Sequence, residues 1–385
     1  MTARALTQPT DFRIGPFRQE LVVVGLLACL TAMGVVAGLG RLFLGLAAST
    51  ALNDTTPWGI WIGFDFTLIA VAGVGFTMAF LVHVLHLHQL RAVLRSALLA
   101  GLMGYVAVLL LLVLDLGRPD RFYHFILFWN LHSPLFEISW CVLLYTTVLI
   151  IEVSPDLLRW LGWQWLLPWV TRLMTPVTIL GVTLSTLHQS TLGTLYLNMP
   201  HRLDPLWYTP YLPLLFLVSA VMVGFSLGML TYQGTCRILK RRVDPLVIAL
   251  LGRGMSLVAG LYLALKLSNL AWEGELGRLT TLNRSSLLLG SELLLGVVLP
   301  LLIWWLPGWR YHKLVQWVTP LLILFGVSFN RFNATMFAQQ MATASVYSPH
   351  ILEWVSTIGI LAAAGLGWYL GVRYLVGGSR RGAHP

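Results

Sequence analysis

The sequence has few charged residues. Asp, Glu, Lys and Arg make up 10% of its 385 residues, against about 25% in an ordinary soluble domain. Hydrophobic residues make up 57%, and the mean hydropathy is +0.78. Together these values exclude a soluble enzyme.

Cysteine is also scarce, and its spacing excludes several redox centres. Cys29, Cys141 and Cys236 lie far apart and form neither a CxxC nor a CxxCH motif. The spacing therefore predicts no cysteine-ligated iron-sulfur cluster and no c-type haem in this chain. Residues 1–19 lack a small-residue cleavage site, so we expect the first helix itself to direct membrane insertion.

Long apolar runs recur along the chain, and a run of about 20 residues is enough to cross a bilayer. They predict an all-α, polytopic membrane protein with ten spans, numbered in chain order at residues 20–47, 58–86, 97–116, 134–153, 173–191, 212–235, 246–270, 284–306, 314–330 and 351–376. The net charge of +10 comes from basic residues in the connections. It therefore predicts how the chain is oriented in the membrane and does not indicate a nucleic-acid partner. About seventeen basic residues fall on the N-terminal side and about eight opposite, which predicts that both termini are cytoplasmic.

A faint internal repeat predicts how the spans are grouped. Residues 74–78 (VGFTM) in span 2 match residues 223–227 (VGFSL) in span 6. We interpret this as two four-helix bundles, spans 2–5 and 6–9, with spans 1 and 10 peripheral. The predicted units are a cytoplasmic tail at 1–19, the first helix with its periplasmic loop at 20–57, and the two bundles at 58–191 and 192–330. A periplasmic loop with the last helix follows at 331–376, and a second cytoplasmic tail at 377–385.

Ionisable residues inside the apolar runs are the main functional clue, because each costs about 2.5–3.5 kcal/mol to insert. Six are expected at a similar depth near the outer helix ends: Asp65, Asp115, Glu137, His188, Lys266 and Glu292. One interpretation is that they pair to fix helix packing, Lys266 with Glu292 and Arg118 with Asp115. The other is proton-coupled chemistry on an amphipathic molecule such as a quinone, whose headgroup lies at this depth.

Two residues near the inner ends predict a proton route. Asp65 and His83 are eighteen residues, or five turns, apart, which places them on one face of span 2 about 27 Å long. Together with Glu152 on span 4, this face is a candidate route to the cytoplasm, or a face that merely packs against neighbouring helices. His188 faces no second histidine within a span, so we predict no haem b in this chain.

Four motifs carry a resemblance to a known family: PWGIWIGFD at 57–65, DLGRP at 115–119, SPLFE at 133–137 and LHQSTLG at 187–193. In this order they resemble the NrfD/PsrC family of quinone-interacting membrane subunits. The ten-span layout and the PLW sequence at 205–207 most resemble its HybB branch, the membrane subunit of a periplasm-facing uptake [NiFe] hydrogenase.

The resemblance implies a multi-pass subunit of a respiratory oxidoreductase complex in the bacterial inner membrane, with no redox centre in this chain. Such a subunit exchanges electrons between a periplasmic four-cluster ferredoxin-like subunit and a quinone, menaquinone or ubiquinone. Hydrogenase large and small subunits are the expected further partners, with hydrogen as the ultimate donor. The alternatives are a subunit of a related Dsr- or Hmc-like cytochrome c/iron-sulfur complex, a proton translocator without redox chemistry of its own, or a bare anchor for a partner.

The resemblance also implies site residues. Asp65, Asp115, Glu137 and His188 match motif residues of the family, and Tyr105 matches a tyrosine of the HybB type. The expected quinone-binding residues are Trp58, Asp65, Arg118, Glu137 and His188, and the expected proton-path residues are His83, Glu152, Glu292 and Lys266. No metal site is expected. The connections 117–133, 187–212 and 330–350 are predicted to dock the iron-sulfur subunit, since they are rich in Trp, Tyr and Arg.

Overall fold

The computed structural model describes residues 16–54, 56–339 and 347–377, without the side chains of residues 16–19. Within these ranges the chain is helical and contains no β-strand, only two isolated β-bridges. Ten helices are long and apolar enough to cross a membrane: spans 1 to 10 are Glu20–Leu44, Ile60–Val84, His88–Asp115, Pro134–Leu161, Leu167–Leu197, Leu212–Ile238, Pro245–Trp272, Arg284–Trp305, Lys313–Phe337 and Ile351–Val376. The all-α, ten-span fold is confirmed.

Several spans change helix type along their length, and short helices occupy some connections. Span 1 belongs to the helix Pro16–Leu44. Span 2 consists of Ile60–Ala72, Val74–Ala79 and the π-helical Phe80–Val84, and span 3 of the 3₁₀ turn His88–Leu90 and Arg91–Asp115. Span 8 consists of Arg284–Leu293, the π-helical Leu294–Val298 and Leu299–Trp305. Span 9 consists of Lys313–Phe332 and the π-helical Asn333–Phe337, and span 10 of Ile351–Gly371 and the π-helical Val372–Val376. The connecting helices are Leu46–Ser49, Pro119–Arg121, His124–Leu127, Glu275–Thr280 and Trp309–Tyr311.

Local sequence explains where three spans begin. The Ser133 side chain accepts a hydrogen bond from the Phe136 amide ahead of span 4. Asp244 and Asn283 cap spans 7 and 8 in the same way. Each cap satisfies an amide that has no partner within its helix.

The spans pack as two rings. Spans 2–5 contact one another around one ring, and spans 6–9 contact one another around a second. Spans 2 and 6 pack together where the rings meet, while spans 1 and 10 lie against each other and contact the first ring mainly through span 3.

Paired glycines allow the closest helix contacts. A Cβ atom built on Gly34 lies 2.4 Å from the Gly359 Cα, and one built on Gly296 lies 2.4 Å from the Gly326 Cα. No side chain fits at these distances. The glycines therefore set the spacing of spans 1 and 10 and of spans 8 and 9.

Three basic residues that counted toward one side of the membrane are buried inside spans. We call the side on which span 1 ends and span 2 begins the distal face, and the opposite side the proximal face. Arg41, Lys266 and Arg331 belong to spans 1, 7 and 9 and are 1–2% exposed. These three cations therefore lie in the helical interior rather than at the membrane surface.

Parts of several predicted units lie outside the described residues. Most of the tails predicted at 1–19 and 377–385 falls there, and so do residues 340–346 of the predicted docking connection 330–350. The first part of that connection is the distal end of span 9.

Candidate functional site

Three aromatic side chains form the centre of a buried polar cluster inside the ring of spans 2–5. Tyr105, Tyr145 and His188 come from spans 3, 4 and 5 and are 0–1% exposed. The ring centroids of Tyr105 and Tyr145 are 4.8 Å apart, and those of Tyr105 and His188 are 6.0 Å apart. Neither phenol hydroxyl and neither imidazole nitrogen has a hydrogen-bond partner among the described residues.

Three further side chains extend this cluster. Asp65 is 3% exposed and lies within electrostatic range of Tyr105, and its Oδ1 has no hydrogen-bond partner among the residues that the structure describes. Ser185 lies close to both phenols. Gln189 donates from Nε2 to the Ile69 carbonyl at 2.8 Å, while its Oε1 has no partner in the described part of the chain. We call these residues the polar cluster: Asp65, Tyr105, Tyr145, Ser185, His188 and Gln189.

Buried donors and acceptors without a hydrogen-bond partner among the described residues distinguish the polar cluster from an ordinary packed core. Leaving a buried donor or acceptor without a partner costs about 1–3 kcal/mol, and native structures leave few such groups. Six residues with unpartnered buried atoms in one ring of helices indicate a site built for a polar partner.

The polar cluster lies in the distal half of the ring. From the distal helix ends, Asp65 is about 8 Å deep and His188 about 14 Å deep, at a rise of about 1.5 Å per residue. His188 was expected at a helix end, but span 5 continues to Leu197. The longer helix places the imidazole inside the ring.

Two carboxylates flank the cluster on its distal side. Glu137 is exposed at the start of span 4, and its Oε1 accepts a hydrogen bond from Thr191 at 2.8 Å. Asp115 lies within electrostatic range of Asp65 and of Arg41, and its Oδ1 has no hydrogen-bond partner within the described ranges. These acids connect the buried cluster with the distal surface.

Trp58 lies in an aromatic group beside the second ring. Its ring is 6.1 Å from that of Phe66 and 6.0 Å from that of Tyr196. The Arg202 guanidinium lies 3.9 Å from the centroid of the Trp58 ring. This geometry is typical of a cation–π contact.

Arg118 is not brought into the cluster. It forms an exposed ion pair with Asp120 at 2.9 Å, and this hydrogen bond raises the pKa of the Arg118 guanidinium. The expected pairing of Arg118 with Asp115 was wrong. Arg41, buried in span 1, is the cation near Asp115, and it donates to the Leu116 carbonyl at 2.5 Å.

The predicted face of span 2 from Asp65 to His83 is not continuous. The α-helix is interrupted at Gly73, and Phe80–Val84 forms a π-helical turn. A π-turn holds more residues than an α-turn, so the five-turn register is lost. Asp65 is buried, whereas His83 is exposed at the proximal end beside His86 and His88.

Glu152 takes part in a different polar line, on the facing sides of spans 4 and 5. Its Oε1 accepts a hydrogen bond from Thr178 at 2.9 Å. Glu152 also lies within electrostatic range of Tyr145, seven residues away on the same helix face. This line leads from Tyr145 and Ser185 toward the proximal face.

Lys266 and Glu292 lie in the second ring, apart from the polar cluster. They lie within electrostatic range of each other but form no ion pair within 4.0 Å. Lys266 Nζ donates to the Leu206 carbonyl at 2.8 Å. Glu292 instead accepts from three side chains, Trp207 at 3.0 Å and Asn330 and Asn333 at 2.8 Å each.

Sequence reasoning missed three of the buried polar residues. Arg331 and Asn333 fall beyond the predicted end of span 9 at residue 330, but the helix continues to Phe337. The available signal was the lack of Gly and Pro after residue 330. Arg41 is the one charged residue in the apolar stretch 21–47, and a charge inside such a stretch is itself a sign of a function or a partner.

The fold and the polar cluster together define a class: a multi-pass helical membrane protein with a buried polar site in the distal half of a four-helix ring. A family model described as "Polysulphide reductase, NrfD" matches residues 48–344. The chain therefore belongs to the NrfD family, and the resemblance found in its motifs is confirmed.

Three relatives illustrate the similarity. A protein of Nitratidesulfovibrio vulgaris is 33% identical over 335 residues, which cover 83% of this chain and 85% of the relative. The "Probable Ni/Fe-hydrogenase 2 b-type cytochrome subunit" of Escherichia coli K12 is 29% identical, with 84% and 83% covered. The "Menaquinone reductase, integral membrane subunit" of N. vulgaris is 27% identical, with 85% and 84% covered.

The side chains of the polar cluster do not fit a bis-histidine haem, although the E. coli relative is named as a b-type cytochrome subunit. Such a haem needs two facing histidines at one depth. The Gln189 bond to Ile69 places His188 near residue 69 of span 2, and His83 lies about 20 Å further along that helix. The described residues contain no group of three or more His, Cys, Asp or Glu that could hold a metal ion.

Proposed function

We propose that this chain is the quinone-reactive membrane subunit of a respiratory oxidoreductase complex in the bacterial inner membrane. It exchanges electrons between the quinone pool and an iron-sulfur subunit on the distal face. The proposal rests on the polar cluster, whose buried donors and acceptors have no hydrogen-bond partner among the described residues. Membership of the NrfD family and similarity to a menaquinone reductase subunit support it.

The chemistry of the cluster suits a quinone headgroup. Reducing a quinone to a quinol takes two electrons and two protons. His188 and Tyr105 are positioned to donate hydrogen bonds to a carbonyl oxygen, and the rings of Tyr105 and Tyr145 offer an apolar surface for the quinone ring. Asp65 and the more distal Glu137 are groups that can bind and release protons.

Spans 4 and 5 provide the proton route in this proposal. Tyr145, Ser185, Glu152 and Thr178 follow one another from the cluster toward the proximal face. Protons taken from the proximal side during quinone reduction contribute to the membrane potential. Glu292 and Lys266, predicted for this route from the sequence, lie in the other ring.

We propose hydrogenase subunits as the partners and hydrogen as the ultimate donor. The similarity to the E. coli hydrogenase subunit supports this choice. Co-purification of the native complex identifies the donor, and a Dsr- or Hmc-like cytochrome c would replace the hydrogenase in the alternative. A reduced-minus-oxidised absorption spectrum of the purified chain without haem bands would support a subunit with no redox centre of its own.

We also propose that the distal face is periplasmic and that both termini are cytoplasmic. The larger number of basic residues on the proximal side supports this orientation. A fluorescent protein fused to the C-terminus should fold and emit, because this reporter needs the cytoplasm. Activity of a C-terminal alkaline phosphatase fusion would reverse the assignment.

The decisive test is quinone reduction by the complex with single substitutions in the polar cluster. We expect His188→Ala and Tyr105→Phe to lower quinone reduction about 10²-fold or more, the usual scale for a lost proton-transferring group. His312→Ala and Tyr374→Phe, both exposed, are the matched controls and should retain activity. Wild-type rates in both cluster variants would refute the quinone site.

A further inference from the structure

The second ring holds two cations at one place in its interior. Lys266 of span 7 and Arg331 of span 9 are 2% and 1% exposed. Both line the same small cavity, together with Tyr262 and Trp207. The cavity has room for about one water molecule.

Hydrogen-bond donors outnumber acceptors around this cavity. A lysine ammonium has three donors, and Lys266 Nζ uses one of them, on the Leu206 carbonyl. Arg331 donates to the Asn330 side chain, the Phe216 carbonyl and the Ser219 hydroxyl, while its Nε has no partner among the described residues.

The carboxylate that acts on both cations forms its hydrogen bonds with other groups. Glu292 lies within electrostatic range of Lys266 and Arg331. Its two oxygens accept from three neutral donors, Trp207 and two asparagines. Among the described residues no carboxylate forms an ion pair within 4.0 Å with either cation.

The charges of this group do not balance. Two buried cations and one buried carboxylate leave one unit of positive charge in the apolar interior of the ring. A buried charge needs a counter-charge together with hydrogen bonds. Residues that carry these donors line the cavity, which at about the size of one water molecule is too small for a polyatomic anion.

We propose that this cavity binds a monovalent halide, chloride in the cell, between Lys266 and Arg331. The anion supplies the missing negative charge and accepts hydrogen bonds from Lys266, Arg331 Nε and the Tyr262 hydroxyl. It also links the connection carrying Leu206 to spans 7 and 9. This site is independent of the polar cluster and of the function proposed for it.

Halide-dependent unfolding of the purified full chain tests the site. The protein is prepared in gluconate buffer, and bromide replaces gluconate at constant ionic strength. We expect bromide to raise the unfolding midpoint of the wild type in a saturable manner. Lys266→Met should abolish this response, and Lys313→Met, which removes an exposed cation, should retain it.

Two further measurements keep the proposal testable if Lys266→Met does not fold. Tyr262→Phe removes a hydroxyl without changing charge, and it should raise the half-saturating bromide concentration by about tenfold. Anomalous scattering from wild-type crystals grown in bromide should locate one bromide in the cavity. A water in place of bromide, or an equal bromide response in all variants, would overturn the proposal.

Discussion

The buried ionisable side chains are of two kinds at the residue scale. In the second ring, Glu292 accepts three hydrogen bonds from neighbouring side chains. In the first ring, Asp65 and His188 are equally buried, yet atoms of both lack partners. Because unsatisfied buried groups destabilise a fold, their presence in the first ring is better explained by function than by stability.

We predict that Glu292→Gln destabilises the protein by about 1–3 kcal/mol, because the amide cannot accept all three hydrogen bonds and a buried donor is left without a partner. Thermal unfolding of the purified chain measures the effect. Glu273→Gln, at an exposed position, is the control and should change stability by about 0.5 kcal/mol or less. Unchanged stability with loss of proton uptake would instead assign Glu292 to a proton route.

At the scale of elements, span 2 shows how a break in the α-helix can separate residues that the sequence places on one face. Gly73 and the π-helical turn Phe80–Val84 interrupt its α-helical register, so His83 does not follow Asp65 along one buried stripe. Spans 4 and 5 remain α-helical at Glu152 and Thr178. Their facing sides therefore keep these two residues in helical register with the polar cluster.

This difference predicts which variants affect proton uptake. In proteoliposomes carrying the complex, Glu152→Gln should reduce the internal pH change that accompanies quinone reduction, because the side chain can no longer bind a proton as a carboxylate. Thr178→Val should have a smaller effect in the same direction. His83→Ala should match the wild type. A smaller internal pH change in His83→Ala alone would instead support a proton route along span 2.

Helix spacing gives a second prediction for the elements. Gly296→Val should destabilise the protein by about 1–3 kcal/mol or more, because the added side chain meets the backbone of Gly326. Gly260→Val is the matched control, since no atom lies within 4 Å of a Cβ built there. Equal unfolding midpoints for the two variants would contradict close packing of spans 8 and 9.

For the whole molecule, the distal face carries an exposed aromatic and aliphatic surface. In the connection 117–133, Phe122, Leu127 and Trp129 are 56%, 63% and 64% exposed. Exposed apolar surfaces of this kind mark protein interfaces or membrane-interface belts. The connection lies directly beyond Asp115, at the distal end of span 3.

We predict that this connection docks the iron-sulfur subunit. Arg121→Glu combined with Trp129→Ala should reduce co-purification of that subunit about tenfold or more, since aromatic residues and arginine dominate interface energies. Lys313→Glu, on the proximal face, is the control and should leave co-purification unchanged. Full co-purification of the double variant would indicate a belt at the lipid surface instead.

The number and order of the spans followed from the sequence alone. A bilayer of fixed thickness demands about 20 apolar residues in each helix, and this requirement is local and visible in composition. The motifs also directed attention to Asp65, Tyr105 and His188, which the structure places in one ring. Helix ends were less predictable, because polar residues such as those after residue 330 remain helical when buried by neighbours.

Only the tertiary structure decided which polar groups meet. The Gln189 bond to Ile69 joins residues 120 positions apart, and Arg41 rather than Arg118 lies near Asp115. Such pairs depend on how distant helices pack, and packing depends on glycine contacts and π-turns that leave no periodic signal. The bilayer requires each spanning helix to be apolar, so each helix can be predicted from its own residues. The site, in contrast, forms only through contacts among several helices.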